Sequence, residues 1–149
     1  MAYQQGDTIQ ASDYNTFAGN VNTIIGTGSN DSGYGLSEIA TISAGDNITA
    51  AQWNSLLSGL QKAANHQGTT LTNASNTVSV GGNILPLSNL EADITLITNN
   101  KLTADASNMA TDTGVTSTRT TSWTGSVYHE FTVTFASANA ARHFFNSGG

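Results

Sequence analysis

The side chains of this chain best suited to hold a transition metal or pass a proton are three histidines, His66, His129 and His143. Their settings argue against a shared site. His66 falls in the last turn of a helical pattern, His129 alternates into a strand-like run, and His143 sits on a short helical stretch near the C-terminus. The chain contains no cysteine, which excludes disulfides, thiolate metal ligation and a thiol nucleophile. Asp31, Asp46, Asp105 and Asp112 stand among turn formers but lack the regular acidic spacing of a calcium loop. Glu91 and Asp93 read as solvated helix charges rather than an acid and base pair. There is no Gly-x-Ser-x-Gly elbow and no His-Glu-x-x-His. The Gly26-Thr-Gly28 turn lacks the third glycine and the Lys-Ser or Lys-Thr that a phosphate loop requires. The expectation is a protein that is not an enzyme and takes no cofactor or metal. What remains is the chemistry of recognition. Trp123 and Tyr128, at the start of the strand-like run, are candidate glycan contacts because an aromatic face stacks on a sugar ring. Three formal glycosylation triplets, beginning at Asn30, Asn47 and Asn73, are chance matches in an Asn- and Thr-rich chain with no secretory signal.

These residues are positioned by helices that repeat. From Thr49 to Gly68 the sequence carries its own start and stop signals. Thr49 and Gln52 have the spacing of a capping box, and Gly68 suits a left-handed C-cap. Between them Trp53, Leu56, Leu57, Leu60, Ala63 and Ala64 form one apolar stripe at helical spacing. Lys62 and His66 lie in the last turns, where positive charge suits the helix dipole. A shift of 39 residues, from Gly45 back to Gly6, finds the same pattern without a gap. Gly6, Asp7, Ile9, Ala11 and Asn15 recur as Gly45, Asp46, Ile48, Ala50 and Asn54, and Tyr14, Phe17, Ala18, Val21, Ile24 and Ile25 occupy the apolar positions. A weaker third copy begins at Gly82, with Pro86 at the first helical position and Leu90, Ile94 and Ile97 renewing the stripe. Tyr14, Phe17, Val21, Trp53, Leu56 and Leu60 are therefore the expected core, with Tyr14 and Trp53 in a common packing socket.

Composition narrows the partners. Of 149 residues only Lys62, Lys101, Arg119 and Arg142 are cationic, and the formal net charge is -6. No phosphate-binding stripe can be built from so few cations, which argues against nucleic acid. No apolar run approaches the length of a membrane span, and the N-terminus lacks a basic then apolar signal segment, so the expectation is synthesis and retention in a cytoplasm, without membrane insertion. Roughly a third of the chain is Asn, Ser or Thr. Neutral hydrogen-bonding surfaces of this kind suit many copies packed closely without mutual repulsion.

Between the helices lie Gly26–Gly35, a turn-rich loop, and Leu36–Ile42, an apolar segment expected as a strand or an extended arm beside the next helix. Val78 and Val80 alternate with polar residues and suggest a second short strand or extended arm. Asn99–Thr121 is polar and reads as a linker. From Ser122 the pattern alternates: Val127, His129, Phe131, Val133 and Phe135 line one face of a predicted strand, and Ser137 caps a short helix from Ala138 to Phe145. The fold class expected is α+β, with tandem amphipathic helical repeats at the N-terminus and a small antiparallel β unit plus a short helix at the C-terminus. Residues 1–68 form the tandem repeat unit, 69–121 the third repeat and linker, and 122–149 the strand and helix unit. Val127, Phe131, Val133 and Phe135 are its expected core or assembly residues.

The two Gly-Asp-x-Ile-x-Ala-x-x-aromatic-Asn helices, the Ser32-Gly-Tyr-Gly35 between them, the Ala-Asn-His-Gln-Gly68 exit, the Arg119–Phe135 run and the Ala141–Gly149 ending together resemble virion structural proteins of tailed bacteriophages, notably those of cyanobacterial and other aquatic hosts. The resemblance covers most of the chain and carries no catalytic signature. It implies a particle component of tail, baseplate or fibre, made in the host cytoplasm and assembled with copies of itself and other virion proteins. A capsid decoration protein and a carbohydrate-binding adhesin that contacts a host surface glycan are the alternatives. Members of the family continue past the Phe-Phe-Asn-x-Gly-Gly motif into further strands. The C-terminal unit is accordingly expected to be truncated or completed by a neighbouring subunit.

Overall fold

Each of the three apolar stripes that repeat along the sequence becomes a helix because it is long enough and periodic. The computed structural model describes residues 9–27, 33–72, 77–82, 84, 87–105, 107, 118, 120–128, 130 and 132–146. Among these are four helices, α1 Ala11–Ile25, α2 Ala50–Gln67, α3 Leu87–Asn99 and α4 Ala138–Asn146. The capping box of α2 is present: the Thr49 hydroxyl accepts from the Gln52 amide N–H at 3.2 Å, and the Gln52 side chain accepts from the Thr49 N–H at 2.8 Å. At the equivalent position of α1, Gln10 makes no side-chain cap. Gly68 closes α2 at φ 70°, a left-handed conformation that favours glycine, and its N–H donates to the Ala64 carbonyl.

The first three helices pack on one another and point the same way. At their N-terminal ends the Tyr14 hydroxyl donates to the Gln52 carbonyl at 3.1 Å. Half-way along, a Cβ at Gly59 would stand 3.3 Å from Val21 Cγ1 and 2.6 Å from Ile39 Cδ1, so a glycine lets α1 and its arm approach α2. At the far end the Gln67 amide donates to the Ile97 carbonyl at 2.7 Å. Parallel neighbours need a connection that returns the whole length of the helix. The 15 residues of α1 span about 22 Å, and the seven residues of Leu36–Ile42 cover about the same distance when extended.

These return arms are held by asparagine side chains. The Asn15 amide donates to the Ile42 carbonyl and accepts from the Ile42 N–H, both at 2.9 Å. Two turns further along α1, Asn22 makes the same pair of bonds to Ile39, at 2.8 and 2.7 Å. On α2 the repeat-equivalent Asn54 clamps Val78 at 2.9 and 2.8 Å. Two reciprocal N–H to carbonyl bonds are what one residue exchanges with its partner in an antiparallel ladder. Here a helix side chain supplies the partner, so the repeating unit is a helix plus the arm clamped along it.

The expected α+β architecture is not observed: among the described residues the chain is helical and holds no β-strand. Alternation of apolar and polar residues in Val127–Phe135 is necessary for a half-buried strand but not sufficient, because a strand exists only by pairing. The natural mates, Leu36–Ile42 and the Val78 arm, have backbone groups of Ile39, Ile42 and Val78 already engaged by Asn22, Asn15 and Asn54. The described residues of the C-terminal stretch therefore hold no helix or strand before Ser137, whose hydroxyl accepts from the Ala140 N–H at 3.1 Å and starts α4 where the sequence places it. The third copy of the repeat is present as α3, with Leu90, Ile94 and Ile97 buried. Pro86 lies outside the described residues.

Candidate functional site

The six expected core residues come together. Tyr14, Phe17 and Val21 of α1 and Trp53, Leu56 and Leu60 of α2 are all buried in one cluster, joined by Ile94 and Ile97 of α3, by Tyr34 of the loop after α1 and by Ile39 of the first arm. Tyr14 and Trp53, equivalent in the repeat, are each 1% exposed. Burial raises the Tyr14 phenol above its ordinary pKa, since ionisation would place a charge in the core.

A buried polar knot closes the C-terminal ends of the three helices, and the sequence did not reveal it. Tyr34 stacks on His66 with ring centroids 3.9 Å apart. Its hydroxyl donates to the Lys101 carbonyl at 2.6 Å and accepts from the Gln67 amide at 2.8 Å. Burial pushes the Tyr34 phenol up, and the Gln67 hydrogen bond opposes that shift. The Asp105 N–H donates to the His66 carbonyl at 2.9 Å, which brings the chain after α3 onto the end of α2. From the other side, the fully buried Asn146 reaches His66 Nε2 at 3.3 Å. Through this contact the last residue of α4 is moored to the repeat core. Gln67 continues the α2 stripe seven residues after Leu60, a spacing that could have signalled its burial; nothing local marks Asn146. The knot's described hydrogen bonds fasten chain segments together. Among the described residues no group of three or more His, Cys, Asp or Glu side chains converges to hold a metal ion. No described helix is long and apolar enough to cross a membrane.

The C-terminal residues singled out in the sequence behave differently. Trp123 is 54% exposed and Tyr128 is 83% exposed, and Val133 is half-exposed. Val127 and Phe135 are partly buried. The expected β unit, with one face as core, is thus not observed among the described residues, and several of its apolar groups lie in solvent. Phe131 and His129 lie outside the described residues. What sequence reasoning missed is an aromatic cluster: Phe135 packs on Phe144 and Phe145 with centroids 5.4 and 5.8 Å away, and those two rings meet edge to face at 5.4 Å. Phe144 and Phe145 are nonetheless exposed, while the adjacent Asn146 is buried. The adjacent aromatic pair Phe144-Phe145 was visible in the sequence, but its exposure was not, since consecutive helix residues such as Leu56 and Leu57 are both buried.

At the opposite end of the repeat core an apolar pocket of about 280 Å³ opens beside Trp53. It is lined by Ile48, Thr49, Trp53, Val78, Val80 and Ile84 among others, and Val80 stands almost fully exposed at its rim. Comparison with protein-family models, curated proteins and solved structures finds no match to this chain.

Proposed function

We propose that this chain is a non-enzymatic structural component of a phage virion, of the tail, baseplate or fibre, and that it acts by assembling with copies of itself and with other virion proteins. The observation that carries the reading is the C-terminal stretch, which leaves Trp123, Tyr128, Val133, Phe144 and Phe145 in solvent beside a helical core that is already complete. Phe144 and Phe145 lie together with Phe135, and exposed apolar groups that cluster in this way support a contact with another protein. The scarcity of charge and the motif resemblance support the same reading. Native mass measurement at micromolar concentration is expected to find multimers, and a stable monomer there would count against self-assembly. Labelling the particle with antibody-bound gold separates tail from shell, and shell labelling would favour a capsid decoration role.

The exposure of Trp123 and Tyr128 favours a second reading, a receptor-binding module that stacks on a host surface glycan. Glycan-array binding that disappears in Trp123→Ala, with helicity retained, would support it. A chain that binds no glycan removes this reading and leaves the first intact.

A further inference from the structure

We infer that copies of this chain join head to tail, the Phe144 and Phe145 cluster of one copy entering the Trp53 pocket of the next. The inference rests on the self-assembly reading and specifies its contact. Two of the exposed apolar features, the Trp53 pocket and the Phe144 and Phe145 rings, sit at opposite ends of the helical core. The pocket lies at the start of α2, against Thr49, Ala50 and Trp53. The aromatic cluster lies at the other end, because its neighbour Asn146 is tied to His66 in the last turn of α2. Ala50 and His66 are separated by about 24 Å of helix. One chain therefore cannot place its own Phe144 and Phe145 in its own pocket, whereas a second copy translated along the helix axis can.

Size and charge match as well. An apolar cavity of about 150 Å³ accepts a benzene ring, so a pocket of about 280 Å³ has room for a phenyl side chain and part of its neighbour. The rim is apolar through Val80 and Ile84, both exposed. The capping box engages the N–H groups of Thr49 and Gln52, and among the described residues those of Ala50 and Ala51 find no acceptor, so the pocket is edged by the positive end of the α2 dipole. Phe144 and Phe145 are carried on the last turn of α4, where carbonyl groups make that helix's negative end. A contact of unlike surfaces of this kind is heterologous: it closes into a ring if the rotation permits and otherwise extends as a filament.

The test uses the full chain in sedimentation equilibrium. One variant, Phe144→Ser with Phe145→Ser, removes the aromatic end; a second, Ser79→Trp, fills the pocket, and Val80→Glu places a charge on its rim without touching the core. Wild type is expected to rise in average mass with concentration. Each variant alone, with helicity retained, is expected to remain at the 15.4 kDa chain mass. Mixing the aromatic-end variant with either pocket variant should give a species of twice that mass and nothing larger, since one good end of each kind survives. Pocket variants that associate as wild type does overturn the head-to-tail contact and leave self-assembly standing, as does a mixture of two folded variants that fails to pair. Wild type that stays monomeric throughout overturns both.

Discussion

The repeat core and the C-terminal segment meet water in opposite ways. In the core, arm backbone is paired even where no strand exists: Asn15, Asn22 and Asn54 each satisfy both polar groups of an arm residue, and the apolar stripes of α1, α2 and α3 cover one another. The C-terminal segment carries an equally strong apolar pattern, yet leaves Trp123, Tyr128 and Val133 exposed and anchors itself through Asn146. Apolar content alone therefore does not make a core. What marks the core is that the backbone of its arm residues bonds to helix side chains beside the apolar groups.

The largest effect that tests this contrast is removal of the central indole. Trp53→Ala is expected to lose about 3–5 kcal/mol of unfolding free energy, measured by urea titration, because a fully buried ring leaves a cavity among α1, α2 and the arms. A loss below about 1 kcal/mol would mean that the shared socket of Tyr14 and Trp53 is not central to stability.

The clamps come next. Asn54→Ala leaves the Val78 N–H and carbonyl without their partner, with an expected cost of about 1–3 kcal/mol. Hydrogen exchange should show faster exchange at Val78 while the interior of α3 stays protected. Asn15→Ala is expected to do the same at Ile42. In Asn15→Asp the acceptor for the Ile42 N–H survives and the donor to its carbonyl is lost, so that variant should fall between wild type and alanine at neutral pH. Equal exchange in all three would show that the arm is held by Ile39 and Ile42 packing alone.

Alkaline pH acts on both ends of the core through Tyr14 and Tyr34, whose phenols have raised pKa values because they are buried. The unfolded chain ionises first, near pH 10, so their contribution is complete below that value and is lost as pH rises through the higher folded pKa values. Melting temperature should fall above about pH 10, and phenolate absorbance should appear in step with unfolding.

Helix capping gives a smaller difference, one that compares the first two repeats directly. Thr49→Ala should cost about 1 kcal/mol, whereas Gln10→Ala should cost little, since only Thr49 caps through its side chain. These helix starts were legible in the sequence because capping is local chemistry at fixed spacing, and the apolar stripes were legible because a helix exposes its period within a few turns. The repeat from Gly6 to Gly45 was equally plain. The arms' fastening was not. Asn15 and Asn54 recur at the same place in the repeat, but their partners are backbone groups, which every residue possesses and no sequence pattern marks. The C-terminal alternation misled for a related reason: Val127 and Val133 have strand spacing, while the existence of a strand depends on which distant backbone remains unpaired. The mooring of α4 depends on His66 and Asn146, 80 residues apart, and the contact has no local signature.

The smallest expected effect is the sharpest discriminator between the two regions. Trp123→Ala removes a side chain as large as that of Trp53, from a position 54% exposed. Its effect on unfolding free energy should be well below that of Trp53→Ala, because about half of the ring is already in water in the folded chain. Had the segment been a half-buried sheet, the same change would cost several times more through lost packing. A near-zero change in stability accompanied by weaker association would place Trp123 in a contact between chains. A near-zero change in both would confine the association surface to the Phe144 and Phe145 end of α4. A cost approaching that of Trp53→Ala would instead mean that the C-terminal segment buries its aromatic residues against its own chain in solution, and the contrast between the two regions would fail.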